Sequence, residues 1–169
     1  MSSTVFTGPV LAGNVLNSDG TGNLAGVGGS SGTQNVGFCE MVQTAAITQA
    51  GPAADGVFTT NIVIPAQSLI TSIDLYVSTV WNGTATTLGI GTTASATALT
   101  AAGAVAGGTA GRITVTPGTG ATQIANWVNT SSTTDVQIKV TSTNTGAGVG
   151  TLVVRYVQGV NGFTNGQYT

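Results

Sequence analysis

The sequence predicts an all-β protein, an antiparallel β-sandwich of the jelly-roll kind with an extended N-terminal arm. Two observations lead to this fold class. Apolar and polar residues alternate along several segments, which is the period-two pattern of strands that rest one face on a core. Turn signals built from Gly, Pro and Asn-Gly recur between these segments at fairly regular spacing. About eight such strands with at most one short helix are typical of a sandwich or jelly roll.

The chain divides into three predicted parts. Residues 1–35 are rich in Gly, Ser, Asn and Thr. Such a segment buries too little apolar surface to offset its ordering entropy alone. We expect an extended arm ordered only against a neighbour; the alternative is a disordered terminus without a role. Residues 36–158 form the sandwich, a length that allows a real core. Residues 159–169 form a tail in which Phe163 and Tyr168 are possible anchors.

The most regular stretch is a predicted hairpin between residues 62 and 93. In Leu69–Val80 the odd positions form a mostly aliphatic face, and the even positions, which include Asp74, form a more polar one. Asn82-Gly83 then supplies a turn, because both residue types accept the positive φ that tight hairpins need. Leu88 and Ile90 share one face of the returning strand. No catalytic group lies in this unit.

The other predicted strands cover residues 36–48, 57–64, 112–116, 135–142 and 151–158. Pro65 ends the second of these, because proline cannot donate to a central ladder. Ser95–Val105 is Ala-rich and predicts either a short helix or a loop. Trp127 lies in a connecting segment, where we expect it to plug one end of the core.

Charge is the strongest compositional anomaly. Charged residues make up 5% of the chain, against about 25% in typical soluble domains. The net charge is −2, so little long-range repulsion keeps copies apart. We therefore expect a protein that functions as part of an assembly, through contacts that depend weakly on salt.

Several functional classes are excluded by the same counts. The three basic residues, Arg112, Lys139 and Arg155, are too scattered for the clustered cations that bind nucleic acid. No apolar run is long enough for a membrane-spanning helix, and the N-terminus lacks the features of a secretory signal. Cys39 is the single cysteine and His is absent, so neither an internal disulfide nor a zinc cluster is expected. We predict no cofactor and no metal.

Two motif matches fail on their context. Gly28–Gly32 fits the G-x-S-x-G pattern, but a nucleophilic serine needs a His base and the chain has none. Gly89–Ala94 fits the looser dinucleotide pattern G-x-G-x-x-A. That site also needs an acidic residue about 20 positions later in a parallel βαβ unit, and no acid occurs between Asp74 and Asp135.

The remaining candidates are weak. The acidic residues are too dispersed in sequence for a calcium loop. The sequons that begin at Asn82 and Asn129 are more plausibly a turn and a loop. Aromatic side chains line many sugar sites, which makes Tyr76, Trp81 and Trp127 candidates, although aromatics in small β domains more often belong to the core. An enzyme is not predicted.

The central stretch resembles a family of tailed-phage virion proteins, the small β-sandwich head decoration or cement proteins and related head-fibre domains. Four short segments account for the resemblance: Ile64-Pro65-Ala66, Ser68-Leu69-Ile70, Asn82-Gly83-Thr84 and Leu88–Thr92. It spans about 100 residues, roughly Val57–Gln158, which suits one domain.

The resemblance implies a capsid decoration protein in the virion, located on the capsid surface. The implied partners are the major capsid protein and further copies of the chain, most simply in a homotrimer. The predicted contact is the N-terminal arm, through its apolar residues Val5, Phe6, Val10, Leu11, Val15 and Leu16. An alternative is a head-fibre or tail-associated adhesion module that binds host glycans, for which Trp81 or Trp127 would be needed.

Overall fold

A computed structural model describes residues 40–50, 56–128, 133–142 and 145–158. These residues form eight strands and one helix: β1 (Glu40–Thr48), β2 (Val57–Ile64), β3 (Ser68–Thr79), β4 (Thr87–Thr92), β5 (Val105–Ala106), β6 (Gly111–Val115), α1 (Ala121–Val128), β7 (Val136–Thr141) and β8 (Val149–Gln158). The predicted strand at residues 57–64 is confirmed to the residue. The first strand is described from Glu40 onward, so the predicted start at Val36 lies outside the described residues.

The strands form two four-stranded sheets, in the orders β1-β8-β3-β6 and β2-β7-β4-β5. Each strand of the first half pairs antiparallel with its counterpart counted from the end: β1 with β8, β2 with β7, β3 with β6, and β4 with β5. The chain therefore resembles one long hairpin that is folded into two layers. Pairing of β8 with β3 completes one sheet, and pairing of β7 with β4 completes the other. This is the arrangement of a jelly roll. The predicted antiparallel β-sandwich is confirmed, and the predicted N-terminal arm lies outside the described residues.

The core lies between the two sheets. Its fully enclosed side chains alternate along the strands, as period-two patterning requires. The largest of them are Trp81, Tyr156, Ile47, Ile62, Ile64, Ile73, Leu75, Leu88, Ile90, Leu99, Ile138 and Leu152. Leu88 and Ile90, which the sequence predicts to share one face of the returning strand, are both among them.

A β-bulge in β3 changes which residues share a face. The pairing of β3 with β8 shifts register between Ile70 and Ser72, which leaves Thr71 as the extra residue. Ile70 and Ile73 are therefore both buried, whereas Leu69 is only half-buried. The predicted odd-numbered face is correct from Ile73 to Val77 and wrong before the bulge, because one inserted residue exchanges the two faces of a strand.

The helix lies in the segment that the sequence assigned to a connection. It covers Ala121–Val128, while the Ala-rich segment Ser95–Val105 forms turns that are attached to the edge of β4. The backbone N–H of Thr100 donates to the carbonyl of Ile90 over 2.9 Å. Trp127 is buried and its indole N–H donates to the carbonyl of Leu99 over 3.1 Å, so its predicted role as a plug of the core is confirmed.

Candidate interaction surfaces

The residues predicted to bind a partner lie outside the described part of the chain. They are Val5, Phe6, Val10, Leu11, Val15 and Leu16. Cys39, Phe163, Tyr168, the sequon at Asn129 and the motif at Gly28–Gly32 also lie outside it.

One end of the sandwich is closed around Trp81. This side chain is 1% exposed, and its backbone N–H donates to the carbonyl of Gly107 over 2.9 Å. A Cβ atom on Gly148 would lie 2.5 Å from the indole ring, and one on Gly107 would lie 2.9 Å from it. Both glycines are therefore required by close packing, and the indole is enclosed in the core.

Gln49 joins the loops around that end. Its side-chain amide is buried and donates to the carbonyls of Asn82 and Ala85 over 2.7 and 3.0 Å. Its Oε1 accepts from the backbone N–H groups of Asn82 and Gly148. Gly83 has a φ of 81°, as the predicted turn requires. The first sequon is thus a structural turn, and Trp81, Gln49 and the loops that they join are called the sealed end below.

The candidate sugar-binding aromatics do not form one site. Trp81 is 1% exposed and Trp127 is 8% exposed, whereas Tyr76 is 44% exposed. A sugar platform needs an accessible ring face, and both tryptophans are part of the hydrophobic core. The hypothesis that Trp81 or Trp127 binds glycans is therefore wrong, for the packing reason that small β domains usually impose.

The dinucleotide-like motif is explained by packing of the chain on itself. β4 pairs antiparallel with β7 and β5, so no parallel βαβ unit is present there. A Cβ atom on Gly91 would lie 2.3 Å from the carbonyl oxygen of Ser95, so the glycine makes room for the following turn. The nearby cavity, of about 60 Å³ and lined in part by Gly89 and Gly103, is far smaller than the several hundred Å³ of a cofactor site.

The outward side of the sheet β1-β8-β3-β6, called the outer face below, displays apolar side chains. Val42 is 48% exposed, Tyr76 is 44% exposed and Val149 is 38% exposed. Val153 and Val157 of β8 are half-buried beside them. The strand pairing puts Val153 between Thr44 of β1 and Asp74 of β3 in one row across the sheet. Both faces of β8 are therefore partly covered, as expected for a strand between two neighbours.

Two ion pairs neutralise the outer face. Asp74 is buried, and its carboxylate accepts hydrogen bonds from Nε and Nη2 of Arg112 over 3.0 and 3.1 Å. It also accepts one from the hydroxyl of Thr114 over 3.1 Å. The hydrogen bond with Asp74 raises the pKa of the Arg112 guanidinium most, and the negative charge of Asp74 raises it further. Arg155 lies 3.8 Å from Glu40. Asp74 is on the outer side, as predicted, but it is enclosed there rather than solvated. The face thus presents apolar side chains and no unpaired charge of its own.

Two edge strands lie on the same flank of the sandwich, β1 in one sheet and β2 in the other. The side chain of Gln43 on β1 reaches across to β2. Its Nε2 donates to the carbonyl of Val63 over 2.6 Å, and its Oε1 accepts from the N–H of Val63 over 3.1 Å. A side-chain amide therefore occupies the edge of β2 as a neighbouring strand would.

Neither a metal site nor a membrane-spanning helix is found in the described residues. No group of three or more His, Cys, Asp or Glu side chains there is placed to hold a metal ion. No helix there is long and apolar enough to cross a membrane.

Comparison with known proteins gives a likeness in fold. No family model matches the sequence, and no curated protein matches it. A solved chain in the capsid asymmetric unit of cyanophage Pam1 aligns with a TM-score of 0.50 and 20% identity, over 81% of this chain and 97% of that one. A chain in the acid-stable capsid of Helicobacter pylori bacteriophage KHP30 aligns with a TM-score of 0.40 and 17% identity, over 70% and 86%. The first likeness concerns the fold of almost that whole chain, and the second is too loose to support an argument.

Proposed function

We propose that this chain is a structural protein of a phage virion, which decorates the outer surface of the capsid and stabilises the head by bridging capsid subunits. The observation that supports this most is the likeness in fold to nearly the full length of a chain from a cyanophage capsid. The sequence resemblance to head decoration proteins points the same way. The role is structural rather than catalytic.

The surface chemistry supports an assembling protein. The chain has eight charged residues, three basic and five acidic, and four of the eight are paired within the outer face. Apolar burial stabilises a contact by roughly 25 cal/mol per Å². Several modest contacts made by one molecule add up, because each contact raises the effective concentration for the next.

The N-terminal arm makes the contact with the major capsid protein in this proposal. Its apolar residues, named above, are separated from the sandwich by a segment of mostly small residues. A fully extended arm of 35 residues reaches about 115 Å. Such an arm spans more than one subunit, so that separating the subunits requires the arm to be pulled off. The copies act together as a homo-oligomer, a homotrimer by resemblance.

Sedimentation with capsids that lack the decoration protein tests the proposal. We expect the full chain to co-sediment at a fixed copy number per capsid. A chain in which Phe6, Val10 and Leu11 are changed to Ser should stay in the supernatant, because the apolar contact is lost. Matched changes of Thr4, Thr7 and Asn14 to Ser should leave binding intact. Binding of the apolar-to-Ser variant at full copy number would refute the role of the arm, and failure of the unaltered chain to bind would refute decoration.

A further inference from the structure

The free edge of β1 is built to receive another strand. β1 pairs with β8 through nine consecutive residues without a bulge. Its sequence, EMVQTAAIT, contains no proline and no Lys or Arg. Natural proteins usually protect an edge with these residues, with a bulge or with a cover. Within the described residues, the one charge on β1 is Glu40 at its first position, which is paired with Arg155. From Met41 to Thr48 the strand has none of these protections, and no described residue pairs with its outer edge.

The direction of the backbone groups follows from the hydrogen bond that continues the β1–β8 pairing. The N–H of Gln49 donates to the carbonyl of Gly148 over 2.7 Å. Because backbone groups alternate in direction along an antiparallel strand, the N–H groups of odd-numbered residues face β8. Those of even-numbered residues face outward, and they belong to Val42, Thr44, Ala46 and Thr48. The side chains of these four residues are exposed on the outer face, and none of their N–H groups bonds to a described residue.

The other strand edges of the sandwich are protected. β2 has a register shift against β7 between Thr59 and Val63, and Gln43 caps Val63. β5 has two residues, and very short edge strands resist pairing. β6 carries the charged Arg112, and charged side chains on an edge oppose pairing. β1 is therefore the exception among the described edges.

We propose that the free edge of β1 is completed by an extended segment from the N-terminal 39 residues of a neighbouring copy. Main-chain hydrogen bonds supply affinity in this kind of strand addition, so an uncharged, small-residue segment is suitable. The 39 residues before Glu40 contain one charged residue, Asp19. They span up to about 130 Å when extended, whereas the nine-residue edge of β1 needs only about 30 Å.

The geometry of the chain favours a neighbour as the donor. The segment leaves the sandwich at Glu40, the first residue of β1 itself. The sequence continues the β1 alternation back through Phe38 and Val36, which predicts that the chain runs on beyond the strand rather than back along its edge. Each copy thus donates its N-terminal segment from a point next to the β1 edge at which it accepts the segment of another copy. Such a head-to-tail contact closes into a ring when the rotation between copies allows it. This proposal rests on the proposed assembly and names the partner of part of the arm.

A proline scan of the free edge tests this in the full chain, without capsids. Thr44→Pro removes one outward N–H and leaves the bonds to β8, and Thr44→Val is the matched control that keeps the N–H. We expect the unaltered chain and Thr44→Val to have the mass of an oligomer. Thr44→Pro should have the monomer mass, 16.5 kDa, and a circular dichroism spectrum like that of the control. An oligomer that Thr44→Pro leaves intact, or an unaltered chain that is monomeric, would overturn the proposal.

A mixing experiment identifies the donor. Tagged Thr44→Pro keeps an intact N-terminal segment, so it should join oligomers of the unaltered chain and co-purify with it. Exclusion of the tagged variant would mean that two β1 edges pair with each other, and the proposed donor would be wrong. If Thr44→Pro does not fold, Ala46→Lys replaces it, since a lysine on an edge strand opposes pairing without removing an N–H. Because these masses are measured without capsids, they test the pairing at β1 independently of capsid binding.

Discussion

β1 and β2 occupy the same flank of the sandwich, yet their edges are constructed in opposite ways. β2 is interrupted by a register shift, and its backbone at Val63 is bonded to the side chain of Gln43. β1 provides that side chain but runs straight and unprotected itself. The same strand therefore seals its neighbour and leaves its own edge open.

The contrast between the two edges shows how a protein with few charges can restrict its association to one edge. Charged residues usually keep strand edges apart, and this chain has 5% of them. On β2 the side-chain amide of Gln43 takes this role at Val63. Specific association at β1 then depends on the protection of β2, and the following predictions weaken one edge or the other.

Gln43→Leu has the largest expected effect. The variant leaves the N–H and carbonyl of Val63 and the hydroxyl of Tyr156 without this partner. The hydroxyl of the buried Tyr156 is then left unsatisfied, which costs about 2 kcal/mol of unfolding free energy, whereas water replaces the partner of the exposed Val63 groups. Urea unfolding measures the change, with the exposed neighbour Thr44→Val as control. Equal stability of both variants would show that the cap does not stabilise β2.

Thr60→Val tests the irregular part of β2. The buried hydroxyl of Thr60 donates to the carbonyl of Ile138 over 2.8 Å and accepts from the N–H of Ile62 over 3.1 Å. We expect a loss of about 1.5 kcal/mol in unfolding free energy. Thr59→Val, at the exposed position before it, should change stability by less than about 0.5 kcal/mol. The expectation fails if the two valine variants unfold at the same urea concentration.

Arg155→Gln removes the ion pair at the start of β1. Glu40 and Arg155 are 45% and 43% exposed and 3.8 Å apart, so solvent screening limits the loss to about 0.5 kcal/mol or less. Arg112→Gln is the contrasting variant. It deprives the buried Asp74 of its bidentate partner and should lower the melting temperature further. If Arg155→Gln lowered the melting temperature more than Arg112→Gln, the conclusion that the Arg112–Asp74 pair stabilises the fold more would be wrong.

The smallest expected effect is that of pH. The chain has no His, the side chain whose ordinary charge change falls between pH 5 and 8. The pKa of Arg112 is raised by Asp74, so its contribution is fully present below the ordinary pKa of an arginine and is lost only at still higher pH. Melting temperatures measured from pH 6 to pH 8 should therefore coincide. A clear slope in that range would reveal a titrating group that this structure does not explain.

Local patterning predicts much of the fold and little of the interaction surface. Alternation identifies β2 and the inward face of β4, because a strand repeats every two residues. It fails at Thr71, where one extra residue exchanges the faces, and it misses α1, which at eight residues is about two turns long. The cap of Val63 by Gln43 and the bond from Gly148 to Gln49 join residues 20 and 99 positions apart. No periodic signal reports such partners, since only the folded topology brings them together.

Residue-resolved hydrogen exchange can show whether a strand from another copy covers the free edge of β1. The chain is studied as the oligomer and again after dilution to the monomer. We predict that the amides of Val42, Thr44 and Ala46 exchange slowly in the oligomer and quickly in the monomer. The amide of Val63, already bonded to Gln43, should exchange at similar rates in both. Equal exchange of the β1 amides in the two states would show that no strand covers the free edge of β1, and would contradict the account.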